Sequence, residues 1–178
     1  MRYLLTHIET NRIIFRALSA DDFDAWMPLF ALKEVAIFLD MDQKLTQRER
    51  CQQWFDKSFH RQENNLGIMH AIIDKKTGQL VGQCGLLIQT IQNTERLEIG
   101  YSILPEFWGR GYASEAATTF RDYAFENNLA DSLISMVHVD NIASEKVAIK
   151  NGMAFEKQIG SFHIFSITKE QWISFKST

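Results

Sequence analysis

Trp108-Gly109-Arg110-Gly111-Tyr112-Ala113-Ser114-Glu115-Ala116 is the stretch on which the fold turns. Two glycines flank an arginine just ahead of a run whose apolar positions, Ala113, Ala116, Ala117, Phe120, Tyr123 and Ala124, keep the helical period. Glycine admits backbone shapes that aim successive N–H groups at one point. A helix N-terminus adds unsatisfied donors and the positive end of a dipole. Such a loop suits an anion, above all a phosphate or pyrophosphate. The same Gly-x-Gly also fits a tight strand-to-helix turn with no ligand, and both readings stand at this point. Nucleotide loops fit poorly. A P-loop ends in Gly-Lys-Ser/Thr where this chain has Gly111-Tyr112-Ala113. A dinucleotide fingerprint needs a third glycine, which Ser114-Glu115 does not supply.

Working outward, Glu95 to Ile103 alternates as a strand, with Leu97, Ile99, Tyr101 and Ile103 on one face and Glu98, Gly100 and Ser102 on the other. Before it, Leu66 to Asp74 and Gln79 to Ile88 form a hairpin about Lys75–Gly78, and Asn93-Thr94 is the next turn. Further upstream, Ile13 to Leu18 reads as a strand. Ser19 caps a helix whose apolar face is Phe23, Trp26, Met27 and Phe30. Thr46–Glu49 is a capping box opening a second helix, with Cys51, Trp54, Phe55 and Phe59 as its buried stripe. After the glycine loop come a helix to about Asn128, a strand from Leu133 to Val139, and a helix from Ala143 to Asn151 stopped by Gly152. A hairpin about Gly160-Ser161 and a final helix capped at Thr168 complete the chain. This order predicts an α/β (α+β) fold: a mixed, mostly antiparallel sheet of six to seven strands flanked by helices.

The bulk properties narrow the class. The 178 residues suit a single domain spanning 1–178, and thirteen Phe and four Trp can fill its core. A net charge of -3 argues against a general nucleic-acid surface. The N-terminal stretch Met1–Thr10 is too short and too interrupted for a secretory core, and no run reaches membrane-spanning length, so a cytoplasmic protein is expected. Cys51 and Cys84 show no paired spacing and read as reduced, packed thiols. No histidine or cysteine cluster has metal-ligand spacing, so no metal is expected.

Three segments in order carry a resemblance. Glu98-Ile99-Gly100-Tyr101, Pro105 and Trp108 through Ala116 resemble the coenzyme-A-binding region of the GNAT acetyltransferases. The branch containing the ribosomal-protein N-terminal (alanine or serine) acetyltransferases is the nearest in pattern. Thr10 to Leu18 resembles that branch's opening strand, and Asn141–Ser144 leading to Lys150–Met153 its second coenzyme-side motif, so the likeness runs from about Thr10 to Thr168. It implies an acetyl-CoA-dependent N-acetyltransferase acting on a protein N-terminal or small-molecule amine, as monomer or homodimer, without nucleic acid or membrane. It implies a splayed strand pair, with a bulge at Glu98–Ile103 whose free backbone at Tyr101, Ser102 and Ile103 takes the pantetheine arm. Trp108 would brace the loop. The N–H groups of Gly109, Arg110, Gly111, Tyr112, Ala113 and Ser114 would hold the pyrophosphate. Asn141 would touch the pantetheine side, although its position equally suits a helix cap.

Acetyl transfer to an amine needs a proton acceptor, donors for the developing oxyanion, and a leaving thiolate. Glu98 is the first candidate base, or else an ordinary paired carboxylate; Glu34, Asp40 and His138 are weaker. The oxyanion donor is expected at the Ser102 or Ile103 amide. Many members of the superfamily carry a Tyr acid where this chain has Ala148, so Ser144, one turn after Asn141, is the candidate acid, or else a coenzyme contact. Phe38, Trp54 and Phe165 are acceptor-site candidates that equally suit the core. A non-catalytic acyl-CoA-binding module is the alternative function.

Overall fold

The structure is a computed structural model that describes residues 3–5 and 8–177. Met1, Arg2, Thr6 and His7, within the N-terminal stretch read above, lie outside the described residues, as does Thr178. The strands are β1 (Ile13–Ala17), β2 (Gly67–Asp74), β3 (Leu80–Ile91), β4 (Thr94–Ile103), β5 (Ser132–His138), β6 (Ala154–Ile159) and β7 (Phe162–Thr168). They form one seven-stranded sheet in the order β1-β2-β3-β4-β5-β7-β6. Every neighbouring pair is antiparallel except β4 and β5, which run parallel. The mixed, mostly antiparallel sheet is the one expected.

The helices are α1 (Phe23–Trp26), α2 (Lys33–Phe38), α3 (Gln47–Glu63), α4 (Tyr112–Glu126), α5 (Ile142–Lys150) and α6 (Lys169–Lys176). The capping boxes at Thr46/Glu49 and Thr168/Gln171 form as read. So does the Gly152 stop, at φ 82°. On one face of the sheet α4 packs over β3 and β4, with the Phe120 ring edge-on to Phe15 at 5.1 Å. α3 packs on β2, and its Trp54 indole donates to Gln83 Oε1 at 2.9 Å.

Three local readings are corrected. The first helix is broken: 3-10 turns at Ala20–Asp22 and Met27–Ala31 flank the four-residue α1. Pro28 is the cause, because it has no N–H to donate and its ring opposes the preceding turn. The β3–β4 turn falls on Gln92-Asn93 rather than Asn93-Thr94; both residues take positive φ, 49° and 62°, as a two-residue hairpin turn requires. Finally, β4 has no bulge. Its register with β3 runs unbroken from Gly82↔Ile103 to Ile91↔Thr94.

Candidate active site

What frees the β4 backbone is a fork. β4 and β5 pair only at Leu97↔Leu133 and Glu98↔Ile134, and then diverge. The Leu104 N–H donates to Val81 O at 3.0 Å, which sets the phase of the β3–β4 ladder. Ser102 and Gly100 therefore bond toward β3, while the N–H and C=O of Ile99, Tyr101 and Ile103 point to the fork. Two side chains agree with that phase. Ser135 Oγ donates to Ile99 O at 2.9 Å, and the Trp108 indole donates to Ile103 O at 2.7 Å. Of the two amides expected to serve the oxyanion, that of Ser102 bonds toward β3, while that of Ile103, with that of Tyr101, points into the fork.

At the apex of the fork side chains replace the ladder. Glu98 Oε1 accepts from the Met136 N–H at 3.3 Å, and Glu98 Oε2 from Gln89 Nε2 at 2.6 Å. Gln89 is itself oriented by Arg61, whose Nη2 donates to Gln89 Oε1 at 3.1 Å. Glu98 is buried. Desolvation raises its carboxyl above the usual carboxylate range, against the opposing pull of these two bonds and of the cations Arg61 and Lys57.

Glu98 opens onto a cleft of about 600 Å³ between the sheet and α3. Gly100 and Ser102 on the α3 side of the sheet line it together with Tyr101 and Ser144 from the opposite side, so the cleft passes through the fork. Tyr101 Oη donates to Ser144 O at 2.9 Å and accepts from Ser144 Oγ at 3.2 Å. This two-hydroxyl pair ties β4 to α5 across the gap. Burial raises the Tyr101 phenol, which stays a donor. Asn141 is the N-cap of α5, accepting from the Ser144 N–H at 3.1 Å.

The glycine loop has the predicted form. Gly109 and Gly111 take φ 72° and 82°, a left-handed shape that favours glycine, and α4 begins at Tyr112 with no side-chain cap. The N–H groups at the start of α4 therefore have no intrahelical partner. A Cβ at Gly109 would meet nothing within 4 Å, so the loop's outer side is open. The Tyr112 side chain turns inward and donates to Asp74 Oδ2 at 2.6 Å; only its backbone belongs to the loop. An uncapped helix start beside an open strand edge fits a diphosphate joined to an extended, amide-bearing arm.

Sequence reasoning missed the residues that hold these parts. Arg12 Nη1 donates to Arg110 O at 3.0 Å, its Nε to Glu115 at 2.7 Å, and its guanidinium lies 4.5 Å from the Tyr112 ring centroid. Thr10 donates to the other oxygen of Glu115. Arg61, Gln89 and Lys57 were also missed; the i, i+3, i+4, i+7 spacing of Trp54, Lys57, Ser58 and Arg61 on one helix face was the available signal. Of the other candidates, Phe38, Asp40 and Trp54 line the cleft. Phe165 is in the core, and Glu34 is exposed on α2. His138 is buried beside Phe38 and accepts from the Asp140 N–H at 3.2 Å, a structural setting. Both cysteines are buried; burial pushes the Cys51 thiol up to about 12 and the Cys84 thiol in the same direction. Among the described residues no group of three or more His, Cys, Asp or Glu side chains could hold a metal ion, and no helix is long and apolar enough to cross a membrane.

Comparisons with known proteins show the family and the fold. A family model described as an acetyltransferase (GNAT) domain matches residues 12–154. The uncharacterized protein YkkB of Bacillus subtilis is 34% identical over 160 residues, covering 86% of this chain and 88% of its own. An acetyltransferase structure from Agrobacterium tumefaciens superposes with a TM-score of 0.74 at 24% identity, covering 90% of this chain and 92% of that one. The ribosomal-protein-S5-alanine acetyltransferase of Vibrio fischeri gives 0.68 at 18% identity, covering 93% and 97%, a likeness of fold alone. With 143 of its 178 residues inside the matched domain (154 − 12 + 1), the chain belongs to the GNAT acetyltransferases and is an acetyl-CoA-dependent acyltransferase.

Proposed function

We propose that the chain moves the acetyl group of acetyl-CoA directly to a primary amine, that of a protein N-terminus or of a small molecule, in a ternary complex. The observation that carries this reading is the cleft through the β4/β5 fork, with buried Glu98 on one side and the Tyr101–Ser144 pair on the other. Bound acetyl-CoA supplies a thioester carbonyl activated for attack. The N–H groups from Gly109 to Ser114 bind the anionic end, Trp108 braces the loop, and Arg110 adds positive charge. The open edge at Tyr101, flanked by Asn141, takes the extended arm as a sheet takes an added strand. Glu98 accepts the amine's proton, directly or through a water. The Tyr101 and Ile103 amides face the acyl oxygen as charge develops on it. Ser144 Oγ, turning its hydrogen away from the Tyr101 phenol oxygen, donates to the departing sulfur. A thiol near pKa ~8.5 needs only modest help to leave, so Ala148 in place of a Tyr is no bar to turnover.

The test is to mix the protein, acetyl-CoA and a panel of amines and N-terminal peptides, and to follow free thiol. Release dependent on an amine supports transfer. Saturable coenzyme binding without release from any amine or peptide counts against amine transfer. Thermal stabilisation by ATP but none by coenzyme A would overturn the loop assignment.

A further inference from the structure

We propose that the acceptor carries an anionic group, a carboxylate in the first instance, close to its amine, and that Lys57 binds that group. This deepens the amine-transfer reading above and rests on it.

Trp54, Lys57, Ser58 and Arg61 stand on one face of α3 and form a wall of the cleft. The Arg61 guanidinium is committed to neutral oxygens: Leu66 O at 3.2 Å, Ile88 O at 2.9 Å and Gln89 Oε1 at 3.1 Å. Its charge is therefore oriented but not neutralised. Lys57 has no hydrogen-bond or ion-pair partner among the described residues, although it stands in the fields of Arg61, Glu98 and Asp40. Lys57 is solvent-exposed where it lines the cleft; partial loss of water along the α3 wall, and then the neighbouring Arg61, lower its ammonium from the ordinary lysine value. An exposed cation beside a second, un-neutralised cation on one cleft wall gains from an anion arriving in that cleft.

The cleft's charges are thus sorted. Glu98 sits at the fork where the amine must arrive, Lys57 and Arg61 stand along the α3 wall, and Asp40 and Asp42 lie at the exposed margin. An acceptor with its amine toward Glu98 and an anion toward Lys57 matches both ends. A polyamine would bring its second ammonium against two cations. The shared chemistry is an amine with a nearby carboxylate, whether in a free amino acid or in a peptide with an acidic residue beside its N-terminus.

The experiment measures kcat/KM by thiol release for matched pairs: free amino acids against their carboxamides, and peptides with Glu against Gln at the second position, with spermidine as a cationic arm. The expected result is a preference of about 10-fold or more for the carboxylate member of at least one pair, carried by KM, the size of a charge-assisted contact in a partly dry site. The pair that shows it identifies the source of the anion. Lys57→Gln raises the KM of the carboxylate member to that of its neutral partner, Lys57→Arg keeps the preference, and Lys57→Glu inverts it toward spermidine. Equal kcat/KM within every pair, or a preference that survives Lys57→Gln, overturns the proposal while leaving amine transfer intact. No thiol release from any acceptor overturns the transfer reading itself, and this one with it.

Discussion

Arg12→Ala tests whether the coenzyme loop is held from behind. Arg12 leaves β1's leading edge and makes three contacts with the loop: the bond to Arg110 O, the paired contact with Glu115 (Nη2 to Oε2 at 2.6 Å), and the stack over Tyr112. Its side chain is 43% exposed, so the ion pair is discounted to about 0.5 kcal/mol. The bond to the carbonyl contributes about 1 kcal/mol and the cation–π contact about 0.5. Together these come to about 2 kcal/mol, spent on the loop's order rather than on the core. If coenzyme A binds only the ordered loop, as proposed, its affinity falls by up to about 30-fold, the full factor applying where the loop's order has little margin to spare. The released Glu115 carboxylate, in the first turn of α4, adds repulsion toward the phosphates, and Arg12→Ala with Glu115→Gln recovers that part. The assay is equilibrium titration with coenzyme A at fixed ionic strength, because exposed charges are screened by salt. Unchanged affinity in a variant that melts like the parent would refute the bracing role.

Ser144→Ala should lower kcat by about 10-fold, less than is usual for a positioned proton donor because a thiolate needs only modest help to leave, with the KM for acetyl-CoA unchanged; a fall in coenzyme affinity instead would make Ser144 a binding contact. His70 gives a pH dependence of stability. It is fully buried, its Nε2 accepts from the Leu5 N–H at 2.9 Å, and burial lowers its pKa to about 4. The unfolded chain binds this proton below about 6.5 and the folded chain only below about 4, so stability is full above the first value and falls by about 3 kcal/mol as pH drops between them. Denaturant titrations of the parent and His70→Gln across that window check it, since the variant should lack this slope.

The parts legible in the sequence are those in which neighbouring residues act on one another. The glycine loop, the capping boxes and the Gly152 stop are all local, and each formed as read. Pro28 is equally local, but the strong apolar period around it masks its effect on the first helix. The missing parts are non-local. Arg12 and Glu115 meet across 103 positions, and Tyr101 and Ser144 across 43. The fork follows from where β5 stops pairing, which alternation along β4 cannot reveal. A bulge and a fork both free a strand edge, but only the fork opens a passage from one face of the sheet to the other. The passage brings Glu98 and Ser144 to one cleft although they face opposite sides.

Glu98 has two roles to separate, strut and base, and the network around it supplies a way. In Glu98→Gln the new Oε1 still accepts from Met136 N–H, but the new Nε2 faces Gln89 Nε2, donor against donor. Gln89 must flip, which turns its amide nitrogen toward Arg61 and breaks a second bond. The single variant therefore loses stability as well as its carboxylate, and a slow enzyme alone would prove little. Exchanging the pair, Gln89→Glu with Glu98→Gln, restores every donor to an acceptor. Arg61 and the new amide at position 98 both donate to the new carboxylate at position 89, and the Met136 N–H donates to the new amide oxygen at position 98. Net charge and stability return, while the carboxylate moves one strand away from the fork. If Glu98 is the base, the exchanged enzyme folds like the parent yet loses about 100-fold or more in kcat, most at low pH where free amine is scarce. The parent's rate should itself fall with pH through an apparent pKa above the usual carboxylate range, because burial raises Glu98 and only its ionised form accepts a proton. An exchanged enzyme as fast as the parent would leave Glu98 a strut, with the proton departing by water.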